Sequence, residues 1–149
     1  MHHATFTLER DLAAPPARVF LAFADKDRKA RWFRHPSGEQ VIVERSFDFR
    51  PGGLERVVGT SPGGRTSDFQ CRYYDIVPGE RITYVYEMFT NGEKLSVSLA
   101  TIEVLPRGTG TRLRVTEQGA FLRAEGPADA ASREEGTAAL LEAIAASLD

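Results

Sequence analysis

The sequence predicts an α+β domain with a curved, seven-stranded antiparallel sheet, two short helices and a long C-terminal helix packed over the concave face. Turn sequences recur between residues 41 and 119, and the segments between them alternate apolar and polar side chains. The end of the chain instead carries apolar side chains at helical spacing. A length of 149 residues suits one domain, which we assign to residues 1–149.

The N-terminal part supplies the first strand and the two short helices. The segment "TFTLERDL" is expected to be a strand with Phe6 and Leu8 facing inward. Pro16 lies in the first turn of a short helix, where the missing N–H of proline does no harm. The segment "KDRKARWF" predicts a second short helix with a charged face.

Four turns divide the central region into strands. They are Arg50-Pro51-Gly52-Gly53, Ser61-Pro62-Gly63-Gly64, Val77-Pro78-Gly79-Glu80 and Thr90-Asn91-Gly92-Glu93. Proline sets φ at the second turn position and glycine supplies a positive φ at the third. The first turn, within "FDFRPGG", is not interpreted as a phosphate-binding loop, because proline removes a backbone N–H. The simplest interpretation makes each turn a two-residue hairpin loop, and a longer loop with an even number of residues would give the same faces.

Two-residue loops would determine which side chains share a face of the sheet. Counting outward from the turns places Leu54 in line with Cys71. Cys71 then pairs with Tyr86, and Tyr86 pairs with Val97. The predicted inner face carries Val43, Phe47, Phe49, Leu54, Val58, Phe69, Cys71, Tyr73, Ile82, Tyr84, Tyr86, Met88, Leu95, Val97 and Leu99. A bulge near Ala100-Thr101 is expected, because the apolar positions shift by one after this point.

The C-terminal segment predicts a helix with one apolar side. The spacing of Ser132 and Glu135 is that of a capping box, so we expect the helix to begin there. The apolar residues Leu141, Ile144 and Leu148 follow at helical intervals. This apolar stripe needs a partner, and the apolar face of the sheet provides one.

Five segments together resemble the START-like (SRPBCC) helix-grip superfamily, and within it the bacterial proteins similar to the activator of heat-shock protein 90 ATPase. The segments are "PPARVFLAFADKDRKARWF", "FDFRPGG", "YYDIVPGERITYVYEM", "LSVSLATIEVLPRGTGTRLRVTEQGAF" and "SREEGTAALLEAI". The resemblance implies a helix-grip fold, with a cavity for a small apolar ligand between the sheet and the C-terminal helix. It brings no shared catalytic motif.

The composition of the chain argues against several classes of function. A net charge of -2 gives no basic excess for nucleic acid, and the chain has no apolar run long enough for membrane insertion. A single cysteine, Cys71, permits no internal disulfide and favours a reducing, cytoplasmic location. The three histidines lack metal-ligand spacing, so we expect no metal, no other cofactor and no covalent nucleophile.

The expected ligand cavity has an aromatic wall and a few polar groups. Its predicted ligand-binding residues are Trp32, Arg45, Phe47, Arg56, Phe69, Tyr84, Tyr86, Met88, Glu117 and Leu141. Arg45 and Arg56 either bind an acidic group of the ligand or protect an edge strand. Glu117 is either a general acid or base, or the partner of an arginine. Trp32 either forms a lip of the cavity or packs in the core.

The function favoured by these features is binding of a small hydrophobic or amphipathic molecule without chemical change, by a monomer or homodimer. Two alternatives remain. One is an enzyme of the polyketide aromatase or cyclase kind, in which Glu117 or a tyrosine transfers protons. The other is a protein-interaction module of the chaperone-activator kind, for which a large exposed apolar patch would be expected.

Overall fold

The computed structural model describes residues 1–35 and 37–148 and contains seven strands and three helices within them. In chain order the elements are β1 (His2–Leu12), α1 (Pro16–Ala24), α2 (Lys26–Trp32), β2 (Val41–Phe47), β3 (Leu54–Thr60), β4 (Thr66–Val77), β5 (Arg81–Thr90), β6 (Glu93–Arg107), β7 (Gly110–Phe121) and α3 (Gly126–Ser147). This arrangement confirms the predicted α+β, helix-grip fold.

All seven strands form one antiparallel sheet, in the order β1-β7-β6-β5-β4-β3-β2. Strands β2 to β7 pair with their neighbours in the chain, and β1 closes the other side against β7. Helix α3 packs mainly on β1 and β7 and also contacts α2, while α1 packs on β6 and β7. The helices therefore cover less of the inner face on β2 to β5 than on β1, β6 and β7.

The predicted register holds where β4 meets β5. Cys71 pairs with Tyr86, and Tyr73 pairs with Tyr84. The connecting turn is one residue longer than expected, since Val77 pairs with Arg81. A bulge between Tyr73 and Asp75 restores the register, so the aromatic side chains keep the predicted face.

Strand β3 has the opposite orientation to the prediction, which placed Leu54 and Val58 inward. The β3–β4 turn has one extra residue, because Ser61 N–H donates to the carbonyl of Arg65. This shift exchanges the two faces of β3: Leu54 is 60% exposed, whereas Glu55 and Val57 are buried.

Strand β2 keeps Arg45 and Phe47 on the inner face, as predicted, because two shifts in register cancel. Phe47 pairs with Glu55, so the β2–β3 connection is also shifted by one residue relative to the prediction. The two shifts cancel, and Arg45 and Phe47 still face inward. Val43 was wrongly placed, because a bulge between Ile42 and Glu44 leaves it exposed.

Strand β6 contains a bulge, but not at the predicted position, where Ala100 and Thr101 pair regularly with β5. Thr90 pairs with Glu93 as predicted, whereas Met88 pairs with Ser96, so the irregularity lies beside Leu95 and not near Ala100-Thr101. The serines Ser96 and Ser98 therefore become buried. The residues between and after them, Val97 and Leu99, were wrongly placed inward and are partly exposed.

Helix α3 begins six residues before the predicted capping box. Its N-cap is Glu125, and a proline occupies the first turn. Ser132 is an exposed residue inside the helix and not a cap. The predicted apolar stripe is confirmed, because Leu141 and Ile144 are buried against the core. No helix in the described part of the chain is long and apolar enough to cross a membrane.

Candidate functional site

An aromatic floor covers the inner face of β4 and β5. The ring of Tyr84 lies 5.8 Å from the Tyr73 ring and 5.9 Å from the Tyr86 ring, and Phe69 lies 5.1 Å from Tyr86. These contacts follow from the register, which places alternate residues of paired strands side by side. The structure thus brings together the predicted ligand-binding residues Phe69, Tyr84 and Tyr86.

Part of this floor is not covered. Tyr84 and Met88 are only partly buried, although β5 is the central strand of the sheet. Phe47, which extends the floor on the edge strand β2, is also only partly buried. The hydroxyl of Tyr84 has no hydrogen-bond partner within residues 1–35 and 37–148. Burial, followed by the nearby charge of Glu117, raises the pKa of Tyr84 well above its usual 10.0, so its hydroxyl is protonated at neutral pH.

A buried ion pair lies on one side of Tyr84. Lys29 of α2 places its Nζ 2.6 Å from Glu55 Oε1, and the two residues are 6% and 3% exposed. The hydroxyl of Tyr73 donates to the same carboxylate oxygen at 2.5 Å. The lysine ammonium also lies 4.7 Å from the centre of the Phe33 ring. We name Lys29, Glu55 and Tyr73 the lysine cluster.

A second polar cluster lies towards β6 and β7. The hydroxyl of Tyr86 donates to Glu117 Oε1, and Thr137 of α3 donates to Glu117 Oε2 at 3.0 Å. Arg133 of α3 donates to the Tyr86 hydroxyl at 2.8 Å and to the Ser96 hydroxyl at 2.8 Å. We name this group, with Ser98, the arginine cluster. It joins the helix to the sheet through charge-assisted hydrogen bonds.

Glu117 faces inward as predicted. It also lines a small cavity of about 30 Å³ next to Arg133, which is space for a water molecule or two. A larger groove of about 720 Å³ lies elsewhere, between the start of α1 and the end of α3. Neither space is lined by the predicted aromatic set.

The two predicted arginines are on opposite faces. Arg45 points inward and donates from Nη2 to the carbonyl of Phe33 at 3.1 Å. No carboxylate in the described part of the chain lies within ion-pair distance of it. Arg56 was wrongly placed inward, because it follows the exchanged faces of β3. It binds Asp68 through two hydrogen bonds on the outer face and lowers the pKa of that carboxyl.

Two other predicted ligand-binding residues belong to the core. Trp32 is buried, and its indole N–H donates to the carbonyl of Ala22 at 2.9 Å. Leu141 is buried on α3. Cys71, predicted on the inner face of the sheet, is buried there, and burial raises the pKa of its thiol to about 12.

Several polar residues of the site were missed by the sequence analysis. Glu55 was placed on the outer face by the wrong loop length, and the serines of β6 by the wrong bulge position. Arg133 was considered only as part of a capping box. Lys29 was treated as a solvated charge, yet it lies three residues before the aromatic Trp32, on the same side of the helix. That spacing was the one feature of the sequence that could have placed Lys29 in the site.

The family comparison covers most of the chain. Residues 13–149 match the model of the family described as Activator of Hsp90 ATPase homolog 1-like protein. No curated protein matches the chain.

Solved structures from bacteria are similar over nearly the whole length. The Mll3558 protein from Rhizobium loti is 45% identical, with 98% of this chain and 97% of that chain covered and a TM-score of 0.88. An uncharacterized protein from Rhizobium leguminosarum is 38% identical, with 99% and 95% covered and a TM-score of 0.92. The CV1439 protein from Chromobacterium violaceum is 28% identical, with 95% and 94% covered and a TM-score of 0.78.

Proposed function

The chain belongs to the Activator of Hsp90 ATPase homolog 1-like family, and on this premise we propose that it binds a small hydrophobic or amphipathic molecule on the inner face of its sheet. The observation that carries the proposal is the incomplete cover of the aromatic floor. Phe47, Tyr84 and Met88 stay partly exposed on the inner face of the sheet. A ligand that covers them removes apolar surface from water, which stabilises the complex by about 25 cal/mol per Å².

The polar groups around the floor support an amphipathic ligand. Most small-molecule sites combine an apolar lining with a few polar groups that orient the ligand. The hydroxyl of Tyr84, which has no hydrogen-bond partner among the described residues, is one such group. Arg45 is another, since its guanidinium carries no ion-pair partner in the described residues. An apolar molecule with an acidic end would place that end at Arg45.

The compartment and assembly are also part of the proposal. We infer a reducing, cytoplasmic location from the single buried thiol, Cys71. The ligand site needs residues of one chain only, so it serves a monomer as well as a homodimer.

Native mass spectrometry of the protein purified from its own host tests the proposal, and a co-purifying small molecule is the expected result. Binding of 1-anilinonaphthalene-8-sulfonate supplies a second measurement. Met88→Trp places a larger side chain on the inner face and should weaken this binding. Val85→Trp, on the outer face of the same strand, is the matched control and should leave it unchanged. No bound molecule, together with equal probe affinity in both variants, would contradict the proposal.

The chaperone-activator alternative has weaker support. The outer face exposes Leu54 and Tyr74, which are 60% and 59% exposed. A charged residue adjoins both, however, because Arg72 pairs directly with Leu54 and stands over the Tyr74 ring. An apolar surface divided in this way is less suited to a protein interface than a continuous patch.

A further inference from the structure

Glu55 carries an oxygen that no described residue uses as a hydrogen-bond acceptor. Its side chain is 3% exposed, and both of its hydrogen bonds, from Lys29 and from Tyr73, end on Oε1. Oε2 accepts no hydrogen bond from the part of the chain that the structure describes. Within that part no fully enclosed side-chain N or O atom lacks a partner, so Oε2 must border open space. A buried carboxylate oxygen in such a position requires a hydrogen-bond donor.

The hydroxyl of Tyr84 is a second polar group that has no hydrogen-bond partner among the described residues. Its ring packs 5.8 Å from Tyr73, whose hydroxyl holds Glu55. The Tyr84 hydroxyl is also without a partner in the described ranges and, by the same reasoning, borders open space. A protonated tyrosine both donates and accepts hydrogen bonds, whereas an ionised carboxylate only accepts.

We propose that Glu55 and Tyr84 recognise a hydroxyl group of the ligand, so that the ligand is an apolar alcohol or phenol. This inference rests on the proposed function and narrows its ligand class. A hydroxyl donates to Glu55 Oε2 and accepts from Tyr84. An ether or a ketone accepts from Tyr84 as well, but it leaves the buried carboxylate oxygen without a donor. A site built to hydrogen-bond a hydroxyl strongly rejects the analogue that lacks it.

The lysine cluster prepares Glu55 for this role. The ammonium of Lys29 and the hydroxyl of Tyr73 hold one carboxylate oxygen in place, which leaves the other oriented and free. The buried position limits competition from bulk water. The residues that surround the lysine ammonium are aromatic, with Phe33 and Phe47 rings at 4.7 Å and 5.4 Å, and these provide contacts for an apolar ligand body.

Two probes with the same naphthalene ring system test the proposal on the intact protein. 2-Naphthol has the hydroxyl, and 2-methoxynaphthalene replaces its hydrogen by a methyl group. In isothermal titration calorimetry we expect wild-type protein to bind 2-naphthol at least tenfold more tightly. Tyr84→Phe should weaken both probes similarly, because both accept a hydrogen bond from the tyrosine. The double variant Lys29→Met with Glu55→Gln should weaken only 2-naphthol.

A matched control comes from the outer face, where Lys94 and Glu87 form an ion pair. The double variant Lys94→Met with Glu87→Gln makes the same two changes and should keep the tenfold preference. Carboxyl-carbon NMR of wild-type protein keeps the proposal testable if the inner variant does not fold: 2-naphthol should shift the Glu55 resonance and 2-methoxynaphthalene should not. Equal binding of both probes by wild-type protein would overturn this inference and leave the proposed function standing. Failure of both probes to bind would overturn the two together.

Discussion

The ammonium of Lys29 lies 2.6 Å from Glu55 Oε1, in a part of the fold where both side chains are almost fully buried. Removal of a single partner from such a pair leaves an uncompensated charge inside the protein. We therefore expect Lys29→Met to lower the free energy of unfolding by about 3–5 kcal/mol, measured by urea denaturation. Combined with Glu55→Gln, the same change should cost less than it does alone.

The exposed ion pair between Arg81 and Asp75 is the control for this prediction. Both side chains contact solvent, so Arg81→Gln should change stability little. An equal loss of stability in Lys29→Met and Arg81→Gln would mean that the lysine cluster is not a buried ion pair.

Tyr84 and Tyr86 share the inner face of β5, but only the Tyr86 hydroxyl takes part in a hydrogen-bond network among the described residues. The Tyr86 hydroxyl binds Glu117 and Arg133, whereas the Tyr84 hydroxyl has no partner in the described residues. Tyr86→Phe should lower the free energy of unfolding by about 1–3 kcal/mol, because a buried carboxylate loses its donor. Tyr84→Phe should change it by less than about 0.5 kcal/mol. Thermal unfolding of the two variants distinguishes them, and a larger loss in Tyr84→Phe would contradict the assignment.

The orientation of β3 predicts a contrast between neighbouring apolar residues. Val57 is buried, so Val57→Ala should lower the free energy of unfolding by about 1–3 kcal/mol. Leu54 is largely exposed, so Leu54→Ala should change it by less than about 0.5 kcal/mol. If chemical denaturation shows the larger loss for Leu54→Ala, the register found here for β3 is wrong.

The thiol of Cys71 should make the free energy of unfolding decrease at alkaline pH. Burial raises the pKa of its thiol to about 12 in the folded protein, from an ordinary 9.0. The folded state thus keeps a proton that the unfolded state releases, and this stabilisation is lost as the pH rises from 9 towards about 12. Relative to Cys71→Ala, wild-type protein should lose up to about 1.4 kcal/mol per pH unit in this range.

Reaction with Ellman's reagent at pH 8 gives an independent check of the same thiol. Native protein should react slowly and urea-unfolded protein at once, since the thiolate is the reactive form. Rapid reaction of the native protein would show that Cys71 is accessible and would remove the basis for the pH prediction.

Arg45 and Arg56 allow a test of the acidic-ligand idea, because they are on opposite faces of the sheet. With 12-hydroxydodecanoate as the probe, which carries both a hydroxyl and an acidic group, Arg45→Met should reduce binding by about 1.5–3 kcal/mol per lost charged hydrogen bond, as measured by calorimetry. Arg56→Met keeps the inner face intact and should bind 12-hydroxydodecanoate like the wild type. If Arg45→Met leaves the affinity unaltered and changes only the melting temperature, Arg45 has a structural role.

The Asn-Gly turn was predictable because its loop length depends on local backbone geometry. Asn91 and Gly92 both have positive φ, as a two-residue hairpin loop requires, and the flanking residues pair as expected. The Pro-Gly turns after Ser61 and Val77 were predicted one residue too short, and the loop between Asp48 and Leu54 is longer still. Proline excludes positive φ at the second turn position, so these turns do not match the twist of a two-residue hairpin and need another residue.

Sequence alone therefore determined the consecutive pairing of β2 to β7, the aromatic character of the inner face and the apolar stripe of α3, because alternation and helical periodicity are local properties. The pairing of β1 with β7 became evident only in the structure. Tertiary structure decided which face β3 and part of β6 present, since a single extra residue in a turn or bulge exchanges the faces. It also decided the site. Lys29 and Glu55 are 26 residues apart in the chain, and only the packing of α2 over β3 brings their charges together in a place that excludes water.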